Sequence, residues 1–154
     1  MSSNIKRRAL MGNYWPKDDL ALISIRGTEP IGIPGLPLFS GDLSELDQVV
    51  VLRFNGDFTV EANPARLTHR LVDAPAGERG VKQSEYASEE YFSGYGFKQL
   101  EYAGEKSFSG YSGGPVLTMN GELIALHTSQ HRDNVQMGFG TPVVVKAAQD
   151  AARK

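Results

Sequence analysis

The chain of 154 residues contains no cysteine, and that absence excludes a disulfide framework, a thiolate zinc site and a cysteine nucleophile together. Long hydrophobic runs are missing as well. None approaches the roughly 18 apolar residues needed to cross a bilayer, and the basic opening MSSNIKRRAL lacks the apolar stretch of a signal peptide. A soluble protein is expected, in no specified compartment. Charge of one sign is not in excess: 16 Lys+Arg face 18 Asp+Glu, a net charge of −2, and the largest basic cluster is Lys6-Arg7-Arg8. That leaves no electrostatic footprint for nucleic acid. Histidine is scarce, with only His69, His127 and His131. What the chain does have is 17 Gly and 8 Pro spread along its length and no sustained helical period. Short strands joined by turns are expected, in one globular all-β domain or a piece of a larger one.

Residues 5–12 and the alternating 19–26 (DLALISIR) read as two strands, with Tyr14-Trp15-Pro16-Lys17 as the turn. Residues 27–41 (GTEPIGIPGLPLFSG) carry too much proline and glycine for a helix or a central strand and read as a surface linker. Strands follow at 48–54 and 58–62 around Asn55-Gly56-Asp57, then at 66–73. The polar stretch 74–90 reads as a long loop or a short helix at 82–91, and order resumes over 91–103. The clearest hairpin is 115–119 and 122–128 around Asn120-Gly121, with a further strand region at 135–145 and a closing helix over 142–153 begun by Pro142.

The sharpest chemical signal is Gly110-Tyr111-Ser112-Gly113-Gly114-Pro115. Glycines on both sides permit a tight turn that exposes the serine hydroxyl beside free N–H groups, which can stabilise an oxyanion. A glycine-rich turn with an incidental serine is the bland alternative. The letters also satisfy the G-x-S-x-G elbow, but an elbow needs a helix after the serine. Residues 115–128 read as a β-hairpin instead, and the βα alternation of a parallel sheet is missing.

With Val116 and the following hairpin, this segment resembles the nucleophile region of chymotrypsin-like serine proteases. Upstream, Asp19-Leu20-Ala21-Leu22-Ile23 is similar to the family stretch whose aspartate orients the catalytic histidine, and Asp19 and Ser112 stand 93 positions apart, as in the family. The resemblance implies an antiparallel β-barrel fold: residues 1–40 form a remnant of the first barrel with the inter-barrel linker, and 41–154 form the complete second barrel with a C-terminal helix. It implies Ser112 as nucleophile, the N–H groups of Gly110 and Ser112 as oxyanion hole, and Asp19 as orienting carboxylate. No cofactor is implied. It also implies a substrate pocket: His127 stands where glutamyl endopeptidases and picornaviral processing proteases carry a histidine that contacts Glu or Gln, with Thr128 and Ser129 on the same wall. Lys106 falls at the position lining the base of that pocket, where a cation favours Glu or Asp. Each has a plain reading too, a surface lysine and a hydrogen-bonded strand histidine. His69 reads as a partly exposed strand histidine. A metal site from His127, His131 and Asp133 has little support, because a strand and its turn do not place them as a helix face would.

One departure outweighs the match. The family's general base is a histidine upstream of the aspartate, and residues 1–18 contain none. A serine without a base is a weak nucleophile, so the rate should fall by several orders of magnitude while binding remains. A complete domain of this kind needs roughly 200 residues, so the first strands of the first barrel are expected to be missing. Tyr111 replaces the aspartate that trypsin uses in zymogen activation, so activation of that kind is not expected. Three explanations stay open: a piece of an active endopeptidase, a half that regains its histidine from a partner chain, or a pseudoprotease that binds polypeptide without cutting it. A lone hairpin over 5–26 would leave Leu10, Met11, Leu20, Leu22 and Ile23 uncovered, which predicts a homodimer, a covering partner chain or poor solubility.

Overall fold

A computed structural model of the chain describes residues 8–15, 19–27, 32–73 and 98–143. The expectations for a loop or helix within 74–97, and for the helix beyond Val143, fall outside those residues. The chain divides into two compact units, Met1–Gly35 and Leu36–Lys154.

The first unit is an antiparallel pair, β1 (Ala9–Trp15) and β2 (Leu20–Ile25), in register from Ala9↔Ile25 to Trp15↔Leu20 with an irregularity between Met11 and Tyr14. The expected turn at Tyr14-Trp15 is corrected here. Both residues pair with β2, in keeping with the preference of aromatic residues for extended backbone. Leu10, Met11, Leu22, Ile23 and Ile25 are exposed, so both faces of the hairpin carry uncovered apolar side chains.

In the second unit six strands close into an antiparallel barrel: β3 (Gln48–Phe54), β4 (Val60–Asp73), β5 (Lys98–Gly104), β6 (Pro115–Thr118), β7 (Leu123–Gln130) and β8 (Met137–Pro142), in the order β3-β4-β5-β8-β7-β6. Alternation explains the core. Val49 and Val51 of β3, Ala65 and Leu67 of β4, and Leu100 and Tyr102 of β5 point inward and are buried, whereas Phe54 and Val60 of the intervening positions are exposed.

Three local expectations change. The strands expected at 58–62 and 66–73 are one strand, β4, running through Pro64. Pro64 accepts from the Glu105 N–H, so its nitrogen faces the β5 side, just beyond the start of the β4–β5 ladder at Ala65, and the missing N–H costs β3 nothing. Pro142 ends β8, paired with Ala125, and the helix expected from 142 is entered at Val143, one residue later. The β3–β4 turn places its left-handed residue at Phe58 (φ 66°) and not at Gly56. An Asp57 carboxylate that accepts from both the Thr59 N–H and the Thr59 hydroxyl fixes that turn. Phe58 is 91% exposed, so little packing offsets its conformation. Phe58→Gly should raise stability by about 0.5–1 kcal/mol in urea denaturation; a loss instead would show that the phenyl ring is held by contacts.

Candidate active site

The loop between β5 and β6 is built from its own backbone outward. The Tyr111 N–H donates to the Phe108 carbonyl (3.1 Å) and the Gly114 N–H to the Tyr111 carbonyl (2.9 Å), while Gly110 and Gly113 both take φ of +83°. Glycine is required at both turns because side chains rarely adopt that region. The loop is stitched to β7: the Gly113 N–H donates to the His127 carbonyl and the His127 N–H to the Gly114 carbonyl, each at 2.8 Å. After these bonds, the N–H groups of Gly110 and Ser112 have no partner among the described residues. The Ser112 side chain is exposed, and its hydroxyl has the Thr128 carbonyl as partner, a long contact of 3.4 Å.

His127 is buried beneath this loop. Its Nδ1 lies 2.7 Å from the Tyr102 hydroxyl and its ring stacks on Phe108, with centroids 5.0 Å apart and planes at 25°. Burial pushes its pKa down to about 4, so the imidazole is neutral at pH 7. The Tyr102 phenol, fully buried, is held well above its ordinary pKa and keeps its proton. Nδ1 is its acceptor, so the tautomer that satisfies both groups carries the imidazole proton on Nε2. Gly138 makes room for the trio: a Cβ there would meet Tyr102, His127 and Phe108 at 2.7–2.9 Å.

Lys106 stands elsewhere. Its Nζ pairs with Glu61 Oε1 at 3.3 Å, and the Asn63 side chain brackets its backbone, donating to the Lys106 carbonyl (2.8 Å) and accepting from its N–H (3.2 Å). The charge expected to favour an acidic substrate is therefore matched by a carboxylate of β4, and no contact joins Lys106 to His127 among the described residues. Arg53 first and Lys106 second hold the Glu61 carboxyl below the usual range. Thr128 accepts at its hydroxyl from Gln99 Nε2 (2.8 Å) and donates to the Phe139 carbonyl (3.2 Å), leaving its own carbonyl for Ser112. Ser129 is buried on the same strand. Tyr111 packs edge-on against Phe108, and its buried hydroxyl has no hydrogen-bond partner. His69 is largely exposed and pairs with Glu101 at 2.9 Å, and the His131 Nδ1 accepts from the Asp133 N–H. No group of three or more histidines and carboxylates able to hold a metal occurs among the described residues.

Asp19 is the turn residue just before β2 in the hairpin unit, with φ of 52°, while Ser112, Gly110, Lys106, His127, Thr128 and Ser129 all belong to the barrel unit. Sequence reasoning missed Arg53, Glu61, Tyr102 and Phe108. The sequence marked only Arg53, a charge after the apolar run Val49–Leu52; in FTVEA the apolar residues are Phe58, Val60 and Ala62, which puts Glu61 on the polar face, and the inward register of β4 shows only in the barrel.

No protein-family model matches the chain, and no curated protein does. Solved structures do. The active form of the Rv3671c protease from M. tuberculosis superposes with a TM-score of 0.67 at 20% identity, over 98% of this chain and 60% of that one. The MamO protease domain from Magnetospirillum magneticum gives 0.61 at 15% identity, over 92% of this chain and 66% of that one. Deg5 gives 0.64 at 14% identity, over 92% and 58%. The chain thus spans about three-fifths to two-thirds of these structures. With the closed six-stranded antiparallel barrel, the likeness establishes an all-β, chymotrypsin-like fold.

Proposed function

We propose that this chymotrypsin-like domain binds an extended polypeptide across the 110–114 loop, with Ser112 as the nucleophile of a serine endopeptidase. The observation that carries the reading is the pair of unpartnered N–H groups, Gly110 and Ser112, beside an exposed hydroxyl. A carbonyl oxygen placed between them would gain negative charge as the hydroxyl oxygen attacks, and preorganised donors of this kind are worth about 10²–10³-fold in rate each. The serine proton must go to a base, and no histidine nitrogen stands at Ser112 among the described residues. Asp19 is the carboxylate that would orient such a base. In this reading a companion polypeptide brings the histidine and adds strands to the β1–β2 hairpin, covering Leu10, Met11, Leu22 and Ile23.

For the substrate side chain the pocket group is His127, with Thr128 and Ser129 beside it. A neutral imidazole with its proton on Nε2 donates to an amide oxygen but supplies no countercharge to a carboxylate. With Lys106 already matched by Glu61, Gln is favoured over Glu and Asp before the scissile bond.

The second reading is a pseudoprotease that binds peptide without cutting. It is favoured by one contact, the Ser112 hydroxyl turned toward the Thr128 carbonyl with no base at hand. Fluorophosphonate labelling of the chain against Ser112→Ala separates the two. The chain alone should label about 10³-fold or more slower than with a histidine-bearing companion segment added. Rapid labelling without one would overturn the missing-base argument, and absence of labelling under every condition, with Gln-peptide binding retained, would leave the binding module.

A further inference from the structure

Arg53 lies on the inner-facing register of β3, following the buried Val49 and Val51, at the barrel rim where a fully apolar residue would be expected. Its guanidinium is committed in three directions. Nε and Nη2 donate to Glu61 Oε2 (3.1 and 2.8 Å), Nη1 donates to the Ser109 carbonyl (2.9 Å), and Cζ sits 5.1 Å from the Tyr111 ring centroid. The other Glu61 oxygen holds Lys106. One carboxylate of β4 therefore anchors the nucleophile loop at Lys106 directly and at Ser109 through Arg53.

The Ser109 carbonyl and the Gly110 N–H belong to one planar trans peptide unit and point in opposite directions. Gripping the carbonyl thus determines where the N–H aims. Among the described residues nothing else grips that plane: the Gly110 N–H has no partner, and the other ties of Ser109 run from its N–H to the Ser107 hydroxyl (3.1 Å) and through its hydroxyl to Ser107 (3.0 Å) and the Gln130 side chain (3.4–3.5 Å). Gly110 is compatible with two opposite orientations of that peptide plane, since glycine adopts φ of either sign. The lack of a side chain at Gly110 also admits the guanidinium, because a Cβ there would stand 2.6 Å from Nη1.

We propose that Arg53 is a positioning residue: by holding the Ser109 carbonyl it locks the Ser109–Gly110 peptide plane with the Gly110 N–H turned toward the Ser112 site. The inference rests on the reading of Gly110 as an oxyanion donor for its functional meaning, and its structural content stands apart from that reading. Arg53→Ala releases the carbonyl. Arg53→Lys keeps the charge but lacks the fork that reaches Glu61 and Ser109 together.

The test uses amide hydrogen exchange and ¹⁵N–¹H spectra of the full chain. In Arg53→Ala the Gly110 resonance should shift and its exchange quicken at least about 10-fold, with barrel amides such as Val51 and Leu100 unchanged; Arg53→Lys should restore less than half of the effect. In the presence of a histidine-bearing segment that supports turnover, kcat should fall about 10²-fold with KM within about two-fold. Should Arg53→Ala fail to fold, Glu61→Gln loosens the same grip while preserving shape, and should move Gly110 in the same direction. An unchanged Gly110 amide in either folded variant overturns the proposal, whatever Ser112 does. Failure of wild-type Ser112 to label even with the histidine-bearing segment present, while Gly110 still responds to Arg53, would retire the nucleophile reading and leave the clamp standing.

Discussion

Gly114→Ala is expected to destabilise the barrel by more than about 3 kcal/mol in urea denaturation. A Cβ at this position would stand 2.0 Å from the Leu52 carbonyl oxygen and 2.9 Å from that of Tyr111. Both obstacles are backbone, so no rotamer change can relieve them. Moving the loop instead would stretch the bonds that Gly113 and Gly114 make with His127. Gly113→Ala is the control. Its Cβ would meet nothing within 4 Å, so only the strain of φ +83° acts, about 1–2 kcal/mol. The ordering of the two neighbours is the decisive result, and equal losses would mean that β3 and the loop are not in the close contact described.

The second large effect is a loss of stability in acid owing to His127. Its pKa is lowered by burial from 6.5 to about 4 in the folded protein, so between those values the unfolded chain binds more protons than the folded one. The folded state therefore keeps its full advantage above pH 6.5, loses it progressively as pH falls, and has lost about 3 kcal/mol below pH 4. Among the described residues no charged group bonds to this ring: its polar neighbour is the Tyr102 hydroxyl, which stays protonated throughout. His127→Gln keeps a hydrogen-bonding side chain but cannot titrate. Carboxylate titrations such as that of Glu61 are common to both proteins and cancel in the difference. Denaturation curves at pH 7, 5.5 and 4 should separate wild type from variant by about 3 kcal/mol at the acid end relative to neutral pH; parallel pH dependences would place His127 in contact with water.

How far this could be read from the sequence depended on distance along the chain. β3 was legible to the residue because Gln48–Phe54 is a β-branched, apolar run that ends at Asn55-Gly56, and the β6–β7 hairpin because Asn120-Gly121 supplies the left-handed residue, φ +83° at Gly121. The β3–β4 turn misled by the same rule, since an Asx-type contact from Asp57 to Thr59 carries the strain to Phe58. The spans expected at 58–62 and 66–73 join through Pro64, because no local pattern tells which side of the strand its nitrogen faces. At the site, the glycine pattern around Ser112 was visible, being local. The surroundings were not: Tyr102 meets His127, Arg53 meets Ser109 and Asn63 meets Lys106 only after the barrel brings distant strands together. An unopposed lysine was therefore the natural expectation at position 106, and its partner Glu61 lies on another strand.

A closed ring of strands also has a timetable. β3–β4 and β6–β7 are hairpins between sequence neighbours, whereas the seams β3–β6 and β5–β8 join Val50 to Leu117 and Tyr102 to Gly138. Non-local pairing carries a large loop-closure cost that is recovered only on completion, and domains built this way fold in about milliseconds to seconds. The loop that carries Ser112 runs from β5 to β6, between those two seams, and its contact with Arg53 comes from β3. Its peptide planes therefore acquire their orientation late, when the ring shuts, so the role proposed for Ser112 is open only to a chain that has completed its barrel.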